Sequence, residues 1–128
     1  MVMEFDLTSP RRLEHWFCRR LPAGSDPISF SHCDFVMCHL DVAPRNIVWM
    51  DDDIPCFVDW ASGGYYPRVF EWCTLEVMRG RDGEFQEKVQ KMLEPLTEWE
   101  MDARRLVVKA WGNSVRYHYP PTPPDTSD

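Results

Sequence analysis

The stretch CHLDVAPRNIVWMDDDIPCFVDW, residues 38–60, decides how this chain is read. His39 is followed two residues later by Asp41, Asn46 comes five residues after that, and Asp59 sits just before Trp60. Two apolar segments lie between Asn46 and Asp59. They are Ile47-Val48-Trp49-Met50 and Cys56-Phe57-Val58, separated by Asp51-Asp52-Asp53-Ile54-Pro55. Short apolar runs around a polar, Pro-containing link predict a β-hairpin. Asn46 starts the first strand and Asp59 ends the second, so antiparallel pairing predicts them side by side. Asp41 lies on the loop that feeds the hairpin, so three oxygen-bearing side chains are expected at one end. Magnesium takes oxygen ligands and needs few from the protein when phosphates complete its shell. The Asp51-Asp52-Asp53 triplet falls at the far tip and reads as a solvated turn.

An Asp, an Asn on the same loop and a later Asp form the layout of a phosphoryl-transfer catalytic loop. Here the loop is H-L-D-V-A-P-R-N, and the second Asp is followed by Trp60 rather than Phe-Gly, which points away from protein kinases. The chain continues Asp59-Trp60-Ala61-Ser62-Gly63-Gly64-Tyr65-Tyr66-Pro67-Arg68-Val69-Phe70-Glu71. This compound pattern resembles the aminoglycoside phosphotransferase and choline kinase-like family, especially its fungal-type branch. The resemblance is best over residues 30–75. It implies an α+β fold, a protein kinase-like C-terminal lobe that is mainly helical around a small β-hairpin. It implies an ATP-dependent phosphotransferase acting on a small-molecule hydroxyl, with Mg2+ and ATP as cofactors. On that resemblance Asp41 is the catalytic base, Asn46 and Asp59 hold the metal, and His39, Arg45 and Glu71 support the loop. Arg45 has two readings, a phosphate contact or a pair with an acidic neighbour. The family often has Gly between the His and the Asp; Leu40 here costs backbone freedom.

A full family member also has an N-terminal lobe with a phosphate-covering loop, a Lys and a Glu. Only 38 residues precede His39, without a G-x-G-x-x-G or Walker pattern, and Lys is absent from the first 87 residues. The reading is therefore a C-terminal lobe alone, truncated, with the nucleotide lobe absent and activity weak or lost. The alternative is a non-catalytic remnant or binding module of the same fold. The acceptor is not readable from these residues.

An apolar fraction of 44% and an aromatic fraction of 13% are those of a globular chain. The net charge of −7 argues against nucleic acid as partner and suits a cationic substrate. No apolar run is long enough to span a membrane, and the N-terminus lacks a basic start and apolar stretch. The five Cys then read as thiols of a reducing compartment, and the expected location is cytoplasmic. Cys33, Cys38, His32 and His39 do not have the spacing of a zinc site. If a missing lobe covers aromatic residues in full members, a lone lobe exposes them and self-associates through that surface.

The coarse order is helix, strand, loop, hairpin, helices. Ser9-Pro10 predicts a helix start, with Leu13, Trp16, Phe17 and Leu21 on one face. Residues 22–34 read as loop and Phe35–Cys38 as strand. Pro67 opens a helix expected to run to Arg79, stopped by Gly80. Phe85, Val89, Met92 and Leu93 predict a further apolar face. Thr97-Glu98-Trp99-Glu100 predicts a capping box, with Leu96 and Met101 as a hydrophobic staple and Trp99, Ala103, Leu106, Val107 and Ala110 as the buried stripe. Residues 1–118 are taken as the domain and the Pro-rich 119–128 as a disordered tail.

Overall fold

The computed structural model describes residues 9–31, 33–77, 79–117 and 119, with side chains omitted over 79–82. Its described residues divide into two compact units, one within 34–96, the other formed by segments within 9–33 and 97–119. Its elements are mixed α and β.

The second unit holds α1 (Pro10–Cys18) and α4 (Glu98–Arg116). Ser9 Oγ accepts from the Arg12 amide at 3.2 Å and Pro10 fills the first helical position, where a missing N–H costs nothing. Thr97 and Glu100 form the reciprocal capping box, with bonds of 2.8 and 3.2 Å. Met101 is exposed. Leu13, Trp16, Phe17, Ala103, Val107, Ala110 and Trp111 are buried. Phe17 meets Phe30 at 5.6 Å and Trp111 at 6.3 Å between ring centroids. Arg20 caps this core: its guanidinium lies 3.9 Å from the Trp16 ring and 4.6 Å from that of Tyr119, while Nε donates to Ser114 Oγ. Burial and the neighbouring Arg19 lower its pKa. The rest of the predicted tail, 120–128, lies outside the described residues.

The first unit holds two antiparallel strand pairs and two helices. β1 (Phe35–Cys38) pairs with β4 (Gly64–Pro67), Phe35 opposite Pro67 and Cys38 opposite Gly64. β2 (Ile47–Trp49) and β3 (Pro55–Phe57) form the expected hairpin, Ile47 opposite Phe57. Its tip is a 3-10 turn over Asp51–Asp53, exposed, with Asp52 and Asp53 in left-handed backbone and Met50 N donating to Ile54 O. Asp tolerates that conformation because its short polar side chain bonds locally.

α2 spans Val69–Val77 and α3 spans Arg79–Met92. Three expectations are corrected here. Pro67 ends β4, a position where its lost N–H is harmless, and the helix starts after it. Gly80 lies inside α3 rather than stopping a helix; a Gly costs only about 1 kcal/mol in a helix, less than helical packing returns. The apolar stripe predicted on α3 is also not the buried one. Gln86 and Gln90 are buried, Phe85, Val89 and Leu93 half-buried, and Met92 is 84% exposed. Gln90 Nε2 donates to the Trp72 carbonyl of α2 at 3.3 Å, so a polar contact sets this face.

Candidate active site

The loop from His39 to Asn46 leaves β1 and enters β2. It is held from both sides. Glu71, in the first turn of α2, accepts from the His39 amide at 2.6 Å and from the Leu40 amide at 2.9 Å. A carboxylate accepting two backbone N–H groups is a strong clamp, since bonds to charged groups contribute more than neutral ones. Across the loop, His39 uses both ring nitrogens. The Asp41 amide donates to Nδ1 at 3.1 Å, so Nδ1 carries no proton and Nε2–H donates to the Val58 carbonyl at 2.8 Å. The Trp60 ring closes on His39 at 4.5 Å. Both imidazole nitrogens are thus committed to the loop's own framework.

Leu40 bends the chain between these two anchors. Its φ is +63°, left-handed backbone that costs a bulky residue about 1–2 kcal/mol. The side chain is fully buried, which returns about 1.5–3 kcal/mol. Packing and the Glu71 clamp therefore hold a conformation that Gly would adopt freely.

Asp41 is buried, and both carboxylate oxygens are engaged. Arg45 donates to Oδ1 at 2.7 Å, and Asn46 Nδ2 donates to Oδ2 at 3.1 Å and to the Asp41 carbonyl at 2.8 Å. Of the two sequence readings of Arg45, this arrangement has the acidic pair. Both partners of the Asn46 amide are acceptors, which fixes its orientation: Nδ2 faces Asp41 and Oδ1 is left over. The hairpin ladder continues one step past β3, with Val58 N donating to Asn46 O at 2.8 Å. Asp59 follows directly, exposed, with φ +61°. Trp60 Nε1 donates to the Phe57 carbonyl, and Gly63 N to the Trp60 carbonyl, in the turn behind it. A Cβ at Gly63 would sit 2.9 Å from the Trp60 ring, so this turn needs its glycine. The loop thus brings together His39, Asp41, Arg45, Asn46 and Glu71, with Asp59 on the adjoining strand end.

Cys38 sits beneath the loop. Burial, and then the charge of Glu71, push its thiol up to about 12, so it stays protonated. Its Sγ–H points to backbone carbonyls of Val36 and Tyr66.

A family model, that of the phosphotransferase enzyme family, matches residues 4–107. This chain belongs to that family. No curated protein and no solved structure matches it. The family assignment brings phosphoryl transfer as the family's activity, for which ATP and Mg2+ are the general requirements. The residues present fit such a metal. Asn46 Oδ1 and the Asp59 carboxylate have no hydrogen-bond or ion-pair partner among the described residues, and both are oxygen donors of the type magnesium takes. Among the described residues no three His, Cys, Asp or Glu side chains gather into a closed metal cage. Magnesium seldom uses one, because phosphates complete its shell. Two contributors were not anticipated from sequence, the Val58 carbonyl and the Gly63 turn. The Gly63-Gly64 pair after Asp59-Trp60 was the available signal for the second. Among the described residues no helix is long and apolar enough to cross a membrane.

Proposed function

We propose that residues 39–59 are the catalytic loop and metal-binding hairpin of a kinase-like C-terminal lobe, of the fungal-type branch, that transfers phosphate from ATP to a small-molecule hydroxyl. The observation that carries this reading is the fixed Asp41 carboxylate, held by Arg45 and Asn46 on a loop clamped by Glu71. Asp41 would orient the acceptor hydroxyl and take its proton. Asn46 Oδ1 and Asp59 would hold Mg2+. That ion, when bound with the nucleotide, neutralises charge between the phosphates and aligns the transferred group. His39 would position the loop and not move protons, because neither ring nitrogen is left open. Arg45 would release Asp41 as the acceptor enters.

Activity of the 128-residue chain itself is expected to be very low. Its sequence has no glycine-rich phosphate loop, and Lys first occurs at position 88. Positioning of reactants contributes roughly 7–11 kcal/mol in such reactions. The chain with labelled ATP and magnesium, over a panel of small alcohols, should give turnover no higher than its Asp41→Ala variant. Turnover well above that control would mean that a complete nucleotide site is present. Separately, Mn2+ as a paramagnetic probe should broaden the amide signals of Asn46 and Asp59 first, and Asp59→Asn should abolish the effect. Broadening centred elsewhere would sink the metal assignment.

A further inference from the structure

The unit of α1 and α4 contains a cavity of about 380 Å³ unrelated to the loop just described. That volume is at the lower end of the roughly 300–1,000 Å³ range of small-molecule sites. Ile28, Trp99 and Leu106 supply apolar wall, and Asp26, Asp102 and Arg105 line it with charge. Trp99, Asp102 and Leu106 fall at positions i, i+3 and i+7 of α4, one helical face. The indole is held in place by its edge contact with Phe30 at 6.2 Å. None of the three charged side chains has a hydrogen bond or ion pair among the described residues, although Asp102 and Arg105 are three apart on one helix, a spacing that permits pairing.

We infer that this cavity binds a small basic amino-acid-type ligand, whose two cationic groups meet Asp26 and Asp102 and whose carboxylate meets Arg105. Two carboxylates and one guanidinium around an aromatic wall ask for the reverse pattern in the ligand. A cationic group near Trp99 also gains from the ring's negative face. Arg105 offers the planar fork that matches a carboxylate. A simple cation would leave Arg105 unanswered and facing like charge. A simple anion would meet two carboxylates. The inference does not depend on phosphoryl transfer.

The test titrates the full isotope-labelled chain with L-lysine at low salt, followed by amide and indole signals. Cadaverine, which lacks the carboxylate, and aminocaproate, which lacks the second cation, are the comparison arms. L-lysine should give saturable shifts at the Trp99 indole and residues 26–29. Each comparison compound should bind roughly fivefold more weakly, the worth of one solvent-exposed charge pair. Asp26→Asn and Asp102→Asn should each weaken lysine by a similar factor. Arg105→Gln should erase the preference for lysine over cadaverine, and Asp52→Asn at the hairpin tip should change nothing. All of these variants alter exposed side chains, and an unchanged circular dichroism spectrum would confirm folding. No saturable shift at millimolar lysine, or cadaverine binding as tightly as lysine, would overturn the assignment.

Discussion

The core of α1 and α4 and the β2–β3 hairpin use their aromatic residues in opposite ways. In the unit of α1 and α4, Trp16, Phe17, Phe30 and Trp111 are buried against one another. In the unit of 34–96, the hairpin displays Val48, Trp49, Ile54 and Phe57 on both of its faces, with Trp49 66% exposed. Alternate residues of a strand point to opposite faces, so a hairpin apolar on both is covered on neither. Its rigidity instead comes from polar clamps at its base: Glu71 on the loop amides, His39 on the Val58 carbonyl and Asn46 on Asp41. The α1 and α4 unit is held mainly by burial. The catalytic-type loop and hairpin depend on hydrogen bonds, even though α2 in the same unit as the hairpin buries Val69, Phe70, Cys73 and Leu75. The responses of core and hairpin to substitution should therefore differ.

The largest effect should come from the packed unit. Phe17→Ala should destabilise by about 3–5 kcal/mol, whereas Phe57→Ala, at a half-exposed position, should cost about 1 kcal/mol. Urea unfolding with equal losses for the two would erase the distinction. Next is the clamp. Glu71→Ala leaves two amides without their acceptor and should cost about 3 kcal/mol. Hydrogen exchange should accelerate first at His39 and Leu40; if it stays slow there, the clamp is not what holds the loop.

The buried thiol gives a pH test of the same region. Cys38 is raised to about 12 from an ordinary 9.0. Below pH 9 both folded and unfolded chains keep the proton, and its contribution is complete. Above pH 9 the unfolded chain loses the proton first, so stability should fall by about 1.4 kcal/mol per pH unit until about pH 12. Cys38→Ala should flatten that decline, and alkylation at pH 8 should label the exposed Cys18 and Cys56 while sparing Cys38. Smaller still is Gln86. It is fully buried, and neither amide atom has a hydrogen-bond partner among the described residues. Gln86→Met should stabilise the unit by about 1 kcal/mol, read as a raised urea midpoint. Trp49→Ser with Ile54→Ser should leave stability nearly unchanged. Apolar dye binding and self-association in sedimentation should drop; a wild-type chain that stays monomeric at high concentration would end the expectation that this lobe self-associates.

Much of this was legible in residues 38–60. Two short apolar runs around an acidic link specify the hairpin, because register and loop length leave few alternatives. Ser9-Pro10 and the Thr97–Glu100 box fix helix starts because capping is a local reaction of side chain with backbone. The compound motif also pointed to the phosphotransferase family. Tertiary structure decided what periodicity cannot carry. Pro67 became a strand end because β1 was there to pair with β4. Gln86 and Gln90, not the apolar Met92, became the inner side of α3, with Gln90 meeting the backbone carbonyl of Trp72. Asp41, Asn46 and Glu71 are named by sequence, but their bonds span up to 32 residues. Local propensity acts over a few residues and is silent on such contacts. Only the folded chain sets which oxygen of Asp41 meets Arg45 and which atom of Asn46 is left for a ligand.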